Sequence, residues 1–399
     1  MEFGPIARAI IRNKVRFGLI VLQIAITLAV VTNAINMILA ERAKMLRPSG
    51  FDDDNLMWVQ SKPFANAFGE RAYRITSAVA DERELRTIPG VLAVSNTYFI
   101  PWQGGGSSGS VKVAGGDGTP HQVQMYSATP GIIDTLGVRL IEGRDLRDTD
   151  IDDDPNSKAA TVLISHAMEQ LLFGNQSAVG RQLIDGGGTV NNIVGVFDPF
   201  YNPYGFPIHE YAVFAAGHSS YGGATFLVRT QPGAMKSVAQ QIPKKLVAIN
   251  DGRNVDVQSI DDIKHQYFTE SRIIVGGMTA VIVLLLLVTG LGIVGVTSFA
   301  VTERTRQIGT RRALGATRPA IVRYFLVENW MITSFGSILG LALAYALNFL
   351  LVTSTQAVKL DWRIVAIGIA LLWVQTIAAT LAPAIRAASV PPVIATRAV

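Results

Sequence analysis

The chain has 399 residues, of which 49% are hydrophobic and only 16% are charged. Soluble domains usually carry about 25% charged residues, so this composition indicates that part of the chain lies in a membrane. The absence of cysteine excludes disulfides and cysteine metal sites, and the five scattered histidines show no metal-ligand spacing.

The start of the chain combines cations with isoleucine and alanine. Residues 1–16 therefore predict a cytoplasmic amphipathic N-terminal helix at the membrane surface, with a simple basic anchor as the alternative. Residues 17–44 predict transmembrane helix 1, because they open with a long charge-free run. A cleaved signal peptide is disfavoured, since its apolar core spans only about 7–15 residues.

Residues 45–258 predict a large external α+β domain. Six runs read as strands: NLMWVQ, VLAVSNTYFI, VQMYSA, TVLIS, NNIVGVF and ATFLVRT. Two runs, DERELRTI and HAMEQLLFG, have helical patterns. We expect GGGSSGS at residues 104–110 to form a mobile loop. The acidic run at 145–156 predicts a solvated loop, because it lacks the turn glycine and distal glutamate of a calcium site.

Three further membrane helices follow the external domain. Ser259 and Asp262 match a capping box that starts a helix. If this helix runs unbroken to residue 302, it is about 66 Å long. The hydrocarbon core is about 30 Å thick, so residues 259–302 predict a stalk that continues into transmembrane helix 2. Residues 319–352 predict helix 3, residues 362–385 predict helix 4, and residues 386–399 form a tail. The predicted fold class is a membrane protein with four transmembrane α-helices and an α+β domain between helices one and two.

The cations beside these helices predict the topology. Residues 1–16, 303–318 and 386–399 fall on one side of the membrane and are all basic, as cytoplasmic segments usually are. Residues 41–270 contain 20 basic and 26 acidic residues, so the membrane part carries the positive charge. The net charge of +5 therefore reflects contact with the lipid bilayer, and no nucleic acid partner is predicted.

Small residues at helical spacing predict where membrane helices approach closely. Such contacts form either within one chain or across a dimer seam, and the sequence leaves both open. The predicted helix-packing residues are Gly276, Gly292, Gly295, Gly336, Gly340 and Ala344.

The chain shows no catalytic motif. It has no Gly-Lys dipeptide and hence no P-loop, and neither a nucleophile elbow nor a zinc-protease motif occurs. The spans hold almost no ionisable groups of the kind that ion-coupled transporters use. The exceptions are Glu328 and Asp361 near span ends. We therefore predict a non-catalytic protein with no metal and no cofactor bound by this chain, and with a mechanical role between the cytoplasm and the external domain.

The stretch TERTRQIGTRRALGAT lies between helices two and three, and Pro319 suits the first turn of helix three. Its arginines agree with a cytoplasmic location. Its apolar residues and two glycines favour docking into a groove on a partner protein. The predicted coupling residues are Glu303, Arg304, Arg306, Ile308, Gly309, Arg311, Arg312, Ala313, Leu314, Gly315 and Ala316.

Two long motifs resemble a known family. The run ERTRQIGTRRALGATRPAIVRYFLVEN resembles the signature of the MacB/FtsX-type (type VII) ABC transporter permeases. The external runs GIIDTLGVRLIEGRDL, TVLISHAMEQLLFGNQSAVGRQLIDGG and NNIVGVFDP are similar to the MacB-like periplasmic core domain. The ending SVPPVIATR departs from the acidic-proline ending usual in the family.

The resemblance implies a permease subunit in the bacterial inner membrane, with both termini in the cytoplasm. It implies a dimer with a second permease copy or a paralogue. It also implies a separate ABC ATPase subunit that binds ATP and Mg, because this chain starts at the amphipathic helix. Residues 304–316 would contact that ATPase. The stalk would transmit its motion to the external domain, which would have an inserted part at about residues 129–221.

The resemblance leaves two functions open. The first is extrusion of a drug, peptide or lipid-like substrate, with a membrane-fusion adaptor and an outer-membrane channel as further partners. The second is an FtsX-like regulatory role, in which the subunit controls an external partner without transport. The size of the external domain favours the first, since regulators usually carry a smaller one.

Overall fold

The computed structural model describes residues 14–105, 107–154, 156–203, 209–219, 223–355 and 358–391. Two compact units emerge. One comprises the chain up to Leu46 together with the chain from Glu270 onward, and the other comprises Arg47–Thr269. Most of the predicted N-terminal helix, residues 1–13, and most of the predicted tail, residues 392–399, lie outside the described residues.

Helices and strands are numbered here in chain order. The helices are α1 (Lys14–Leu46), α2 (Arg71–Arg86), α3 (Ile132–Leu136), α4 (His166–Phe173), α5 (Met235–Ile249), α6 (Ile260–Tyr267), α7 (Thr269–Glu303), α8 (Thr305–Ala313), α9 (Arg318–Thr355) and α10 (Trp362–Ala388). The strands are β1 (Leu56–Pro63), β2 (Val91–Asn96), β3 (Phe99–Ile100), β4 (Gly104–Gly105), β5 (Ser107–Val113), β6 (His121–Ala128), β7 (Arg139–Gly143), β8 (Ala159–Ser165), β9 (Gln182–Asp185), β10 (Val190–Asp198), β11 (Ala212–Ala216), β12 (Ala224–Thr230) and β13 (Arg253–Ser259).

Within the described residues, the first unit contains four helices that are long and apolar enough to cross a membrane, α1, α7, α9 and α10. The predicted fold class is therefore confirmed. Helix α1 is the best enclosed of the four. Its residues Ile24, Ala25 and Leu28 are at most 1% exposed because α9 and α10 pack against them.

Small residues on α9 make the close approach to α1. A Cβ added at Gly336 would lie 2.7 Å from Cγ2 of Ile24, and one at Gly340 would lie 3.0 Å from the carbonyl oxygen of Ala25. Ala344 is fully buried on the same helix. These three residues therefore pack within the chain. On α7, a Cβ at Gly292 would meet the side chain of Gln23 on α1, whereas Gly276 and Gly295 have open space around them.

We refer to the first unit, which contains the four long helices, as the membrane unit. We predict that Gly336→Ala lowers its stability by about 1–3 kcal/mol, because the added methyl group overpacks the α1–α9 contact. The matched control is Gly18→Ala on α1, where the new Cβ meets nothing within 4 Å. Thermal unfolding of the purified chain in detergent measures the difference. Equal unfolding temperatures for the two variants would contradict this account of Gly336.

Polar side chains hold α7 to its neighbours. The hydroxyls of Thr27 and Thr289 lie 2.8 Å apart, and Nε2 of Gln23 donates to the carbonyl of Val288 at 3.2 Å. Gln375 on α10 donates to the carbonyl of Leu286. Only 11% of the most apolar stretch of α7 is buried, against 56% for α1. A few interhelical hydrogen bonds therefore hold α7, and most of its surface faces outward.

The second unit contains an antiparallel sheet with strand order β13-β1-β12-β2. Helices α2 and α5 cover one face of it. Ala78 and Leu85 from α2 and Ile242 from α5 join strand residues such as Phe226 and Val228 in one core. The alternation of apolar residues along β1 and β12 thus places one side of each strand in this core.

A seven-stranded mixed sheet with order β7-β10-β8-β11-β6-β5-β9 forms the rest of this unit. Strand β10 pairs with β8 along one edge, and along its other edge with β9 at its start and β7 at its end. Because β9 also pairs with β5, six strands close into a small barrel that leaves few free edges. The six predicted strands and both predicted helices are present in these two sheets and their helices.

One expectation for this unit is wrong. The run GGGSSGS does not form a loop, because Ser107–Val113 is strand β5, paired with β6 on one side and β9 on the other. The seven-stranded sheet consequently begins near residue 107. A poor strand former such as Ser or Gly is overridden when two flanking strands supply its hydrogen-bond partners.

The predicted unbroken stalk helix is also interrupted. Ser259 caps α6 as predicted, since its hydroxyl accepts from the amide of Asp262 at 3.0 Å. The helix ends at Phe268, whose backbone is no longer helical, and α7 begins at Thr269. Phe268 is 4% exposed, and its ring centroid lies 5.3 Å from that of Trp102. Packing of this aromatic side chain accounts for the break.

Candidate functional site

The candidate site is α8 with its flanking residues, between α7 and α9. In the sequence TRQIGTRRA only Ile308 is a large apolar residue, and it points inward at 6% exposure. It packs with Ile321 and Phe325 of α9 and with Ala384 and Ala387 of α10. Ile308 was expected on a docking face, as was the adjacent Gly309. Both are buried instead, because α8 must cover the apolar ends of its neighbours.

A buried ion pair ties the start of α8 to α9. One Nη atom of Arg304 lies 3.0 Å from both carboxylate oxygens of Glu328 and 3.3 Å from the hydroxyl of Tyr324. The two side chains of the pair are only 15% and 4% exposed. The sequence marks Glu328 only as a rare carboxylate within a span, and gives no sign of its partner 24 residues earlier.

Arg312 ties the end of α8 to the end of α10. Its guanidinium donates to the carbonyls of Ala388 and Val390, each at 2.9 Å. Carbonyls at a helix C-terminus have no intrahelical partner, and an arginine is a favourable donor to them. Arg304 and Arg312 therefore serve contacts inside the unit, at the two ends of α8.

The opposite side of α8 is open. Glu303, Arg306, Arg311, Ala313 and Gly315 are exposed, and Leu314 is 83% exposed. The guanidinium carbon of Arg311 lies 5.1 Å from the ring centroid of Tyr324, which supports its position. These residues form an exposed arginine face around one large apolar side chain. We refer to Arg306, Arg311 and Leu314 below as the outer face of α8.

A glycine ends this element. Gly315 has a φ of +95°, the left-handed conformation that favours glycine after a helix. Its amide donates to the carbonyl of Arg312, and the amide of Ala316 donates to that of Arg311. Ala316 is half-buried and lines a small cavity of about 90 Å³ with Ile308 and Phe325 at its base and Arg304 and Arg311 at its rim.

The predicted residues thus sort into two groups. The structure brings Arg304, Ile308, Gly309 and Arg312 into contact with neighbouring helices, and leaves Glu303, Arg306, Arg311, Ala313, Leu314 and Gly315 on the surface. Sequence reasoning missed Glu328, Tyr324 and the two carbonyls that anchor the arginines. Among the described residues, no group of three or more His, Asp or Glu is arranged to hold a metal ion.

Comparison with known families gives two matches. The family model described as FtsX-like permease C-terminal matches residues 279–392, which include α8. The family model described as MacB-like periplasmic core domain matches residues 17–245.

Curated relatives have similar descriptions. The macrolide export ATP-binding/permease protein MacB of Bradyrhizobium diazoefficiens is 27% identical over 398 residues, which cover 96% of this chain and 58% of that protein. The MacB of Chromobacterium violaceum is 26% identical over 64% of this chain and 40% of its own length. The uncharacterized ABC transporter permease YknZ of Bacillus subtilis is 26% identical over 67% of this chain and 68% of its own. The chain thus spans about half the length of the two MacB relatives.

A solved structure also matches. The periplasmic region of MacB from Actinobacillus actinomycetemcomitans aligns with 57% of this chain and 98% of its own at 17% identity, with a TM-score of 0.37.

Proposed function

Because the chain belongs to the MacB/FtsX-type family of ABC transporter permeases, we propose that it transmits the motion of an ABC ATPase to its external domain. We assign ATP and Mg to an ABC ATPase partner, because no P-loop occurs in these 399 residues. The work done would be extrusion of a drug, peptide or lipid-like substrate by mechanotransmission. The relatives' printed names, which join ATP binding to permease and export, support this assignment.

The proposal rests on the difference between the two sides of α8, one packed against neighbouring helices and one exposed. Its inner side is fixed to α9 and α10 by Ile308, by the Arg304–Glu328 ion pair and by Arg312. Its outer face is exposed and basic. A partner bound to this face would therefore move α8 together with the ends of α9 and α10, because buried and specific contacts join α8 to both helices. The break between α7 and α8 is a single residue, Arg304, so α7 would move with them.

The assembly that this requires is a dimer in the inner membrane. We propose a second permease copy or a paralogue beside α7, because α7 is the least enclosed of the four long helices described. Gly276 and Gly295 would then lie at a seam between chains, since a Cβ added at either would meet no other described element within 4 Å. A membrane-fusion adaptor and an outer-membrane channel remain proposed partners for the export of the substrate.

We predict that Leu314→Asp, or Arg306→Glu combined with Arg311→Glu, reduces ATPase binding at least about tenfold. Charge reversal or a buried carboxylate at such an interface costs more than about 1.4 kcal/mol. Co-purification of the co-expressed ATPase, and its stimulation in proteoliposomes, measure the loss. The stability of the Leu314→Asp variant should stay near that of the parent chain, because this side chain is 83% exposed.

The matched control is Arg363→Glu, which reverses another exposed arginine at the start of α10. This variant should retain the ATPase. If the outer-face variants bind and stimulate the ATPase as well as the control does, α8 is not the coupling element.

A further inference from the structure

The second unit, Arg47–Thr269, is called the external unit below. It contains a cleft between helix α2 and the closed seven-stranded sheet. The cleft encloses about 750 Å³, and Arg71 and Arg74 of α2 line one side. Met125 and Tyr126 of β6, together with Ala215 of β11, line the other. A second cavity of about 450 Å³ continues along the same helix, and His218 lines both. Clefts of this size between two substructures are where ligands usually bind.

Backbone carbonyls hold both arginines of the cleft in place. Arg71 donates to the carbonyl of Asp153 at 2.8 Å, and Arg74 donates to the carbonyls of Phe68 and Gly69, each at 2.8 Å. The carboxylate of Asp153 accepts from the amide and the ring of His218, each at 2.8 Å. The guanidinium groups are thus positioned at the cleft, and the nearby carboxylate is hydrogen-bonded to a residue that also lines it.

The location of these cations is unfavourable for folding alone. Both arginines lie in the first turn of α2, which has no acidic residue, and cations at a helix N-terminus oppose the helix dipole. The two cations are also unusual because residues 41–270 contain more acidic than basic residues, 26 against 20. A concentration of cations at this place therefore indicates a role in recognition.

Among the described residues, two arginines and no carboxylate line the first cavity, whereas Glu82, Arg83, Arg86 and Asp148 line the second. Glu82 in the second cavity lies 2.5 Å from Arg86 and accepts from Thr129, and burial raises its pKa above the usual value. Burial also raises the pKa of Tyr126, which therefore stays a neutral phenol. Its hydroxyl is engaged with Gln124 and Asn202 and the residue is only 2% exposed, so Tyr126 offers little surface to a ligand.

We propose that this cleft binds an amphiphile with an anionic head group, either a carboxylate or a phosphate. Arg71 and Arg74 would bind the head through charge-assisted hydrogen bonds, for which a guanidinium is well suited. The half-buried Met125 and Ala215 would contact the apolar part. The proposal that this amphiphile is the transported substrate rests on the transport function proposed above. Binding to the cleft itself requires no ATPase.

The test uses the absence of cysteine from the chain. Ser107→Cys places a single thiol at the cleft, and Ser237→Cys places one on the exposed surface of α5 as a control. The full-length variants in lipid nanodiscs react with a membrane-impermeant maleimide in the presence of octanoate, octyl phosphate or octanamide. We expect either anion, or both, to slow labelling of S107C at least fivefold, with no effect on S237C. Octanamide, which has the same chain without the charge, should give little protection.

Arg71→Gln combined with Arg74→Gln in the S107C chain should raise the half-protecting anion concentration at least about tenfold, since charged hydrogen bonds are lost. Lys244→Gln removes an exposed cation elsewhere in the unit and should change nothing. Equal protection by octanamide, no protection by either anion, or no effect of the arginine variants would overturn the proposal. Protection that persists in L314D while transport is lost would separate this site from the coupling function.

Discussion

Replacing Arg253 with methionine is expected to destabilise the external unit by about 3–5 kcal/mol, because it leaves a buried carboxylate without its partner. Arg253 on β13 and Asp81 on α2 both have side chains with no exposed surface. One Nη atom lies 2.7 Å from the carboxylate, and the guanidinium also donates to the carbonyl of Leu246 on α5 at 2.6 Å. This single side chain therefore joins the sheet to both helices that cover it.

Two variants make the prediction specific. Arg253→Met combined with Asp81→Leu removes both charges and should recover most of the loss, because no ion is then buried alone. Lys62→Met breaks the ion pair between Lys62 and Asp256 on the same sheet, whose side chains are about half exposed, and should cost less than about 1 kcal/mol. Thermal unfolding followed by the buried residues Trp58 and Trp102 measures all three. If R253M loses no more stability than K62M, the buried pair does not hold this core together.

The architecture was readable from the sequence wherever local pattern and length decide it. Charge-free runs revealed the four long helices, and apolar alternation revealed β1, β8 and β12. The expectations that were wrong concern segments whose structure depends on residues far away in the sequence. Strand β5 is rich in serine and glycine, and it is a strand because β9, some seventy residues later, pairs with its outer edge and closes the barrel. The helix break at Phe268 likewise depends on Trp102, far away in the sequence.

The roles of the residues in the candidate site also depend on contacts that are distant in the sequence. Arg304, Arg306, Arg311 and Arg312 are chemically identical. Helical spacing places Arg304 and Arg312 on the same face as Ile308, but it does not show whether that face is buried or exposed. Their roles follow from Glu328 on α9 and from the carbonyls at the end of α10. Ile308 was identified as important for the wrong reason. It packs α8 against α9 and α10, whereas Leu314 is 83% exposed.

The Arg304–Glu328 pair gives the second large effect. Arg304→Gln leaves Glu328, only 4% exposed on α9, without its cation and should lower the stability of the membrane unit by about 3 kcal/mol or more. Glu328→Gln should cost less, because the side chain of Arg304 is 15% exposed and reaches water more easily. Arg306→Gln, which changes an exposed arginine of the same helix, should stay within about 0.5 kcal/mol of the parent chain.

The double variant Arg304→Gln with Glu328→Gln separates stability from coupling. With no charge left unpaired, its unfolding temperature in detergent should return close to that of the parent chain. Its stimulation of the ATPase should remain reduced, because two neutral amides hold α8 to α9 less firmly than a charge-assisted contact does. Stimulation is measured in proteoliposomes with the ATPase supplied in excess, so that weaker binding does not enter the result. Full stimulation by the double variant would show that the ion pair serves folding alone, and that motion passes from α8 through Ile308 and Arg312.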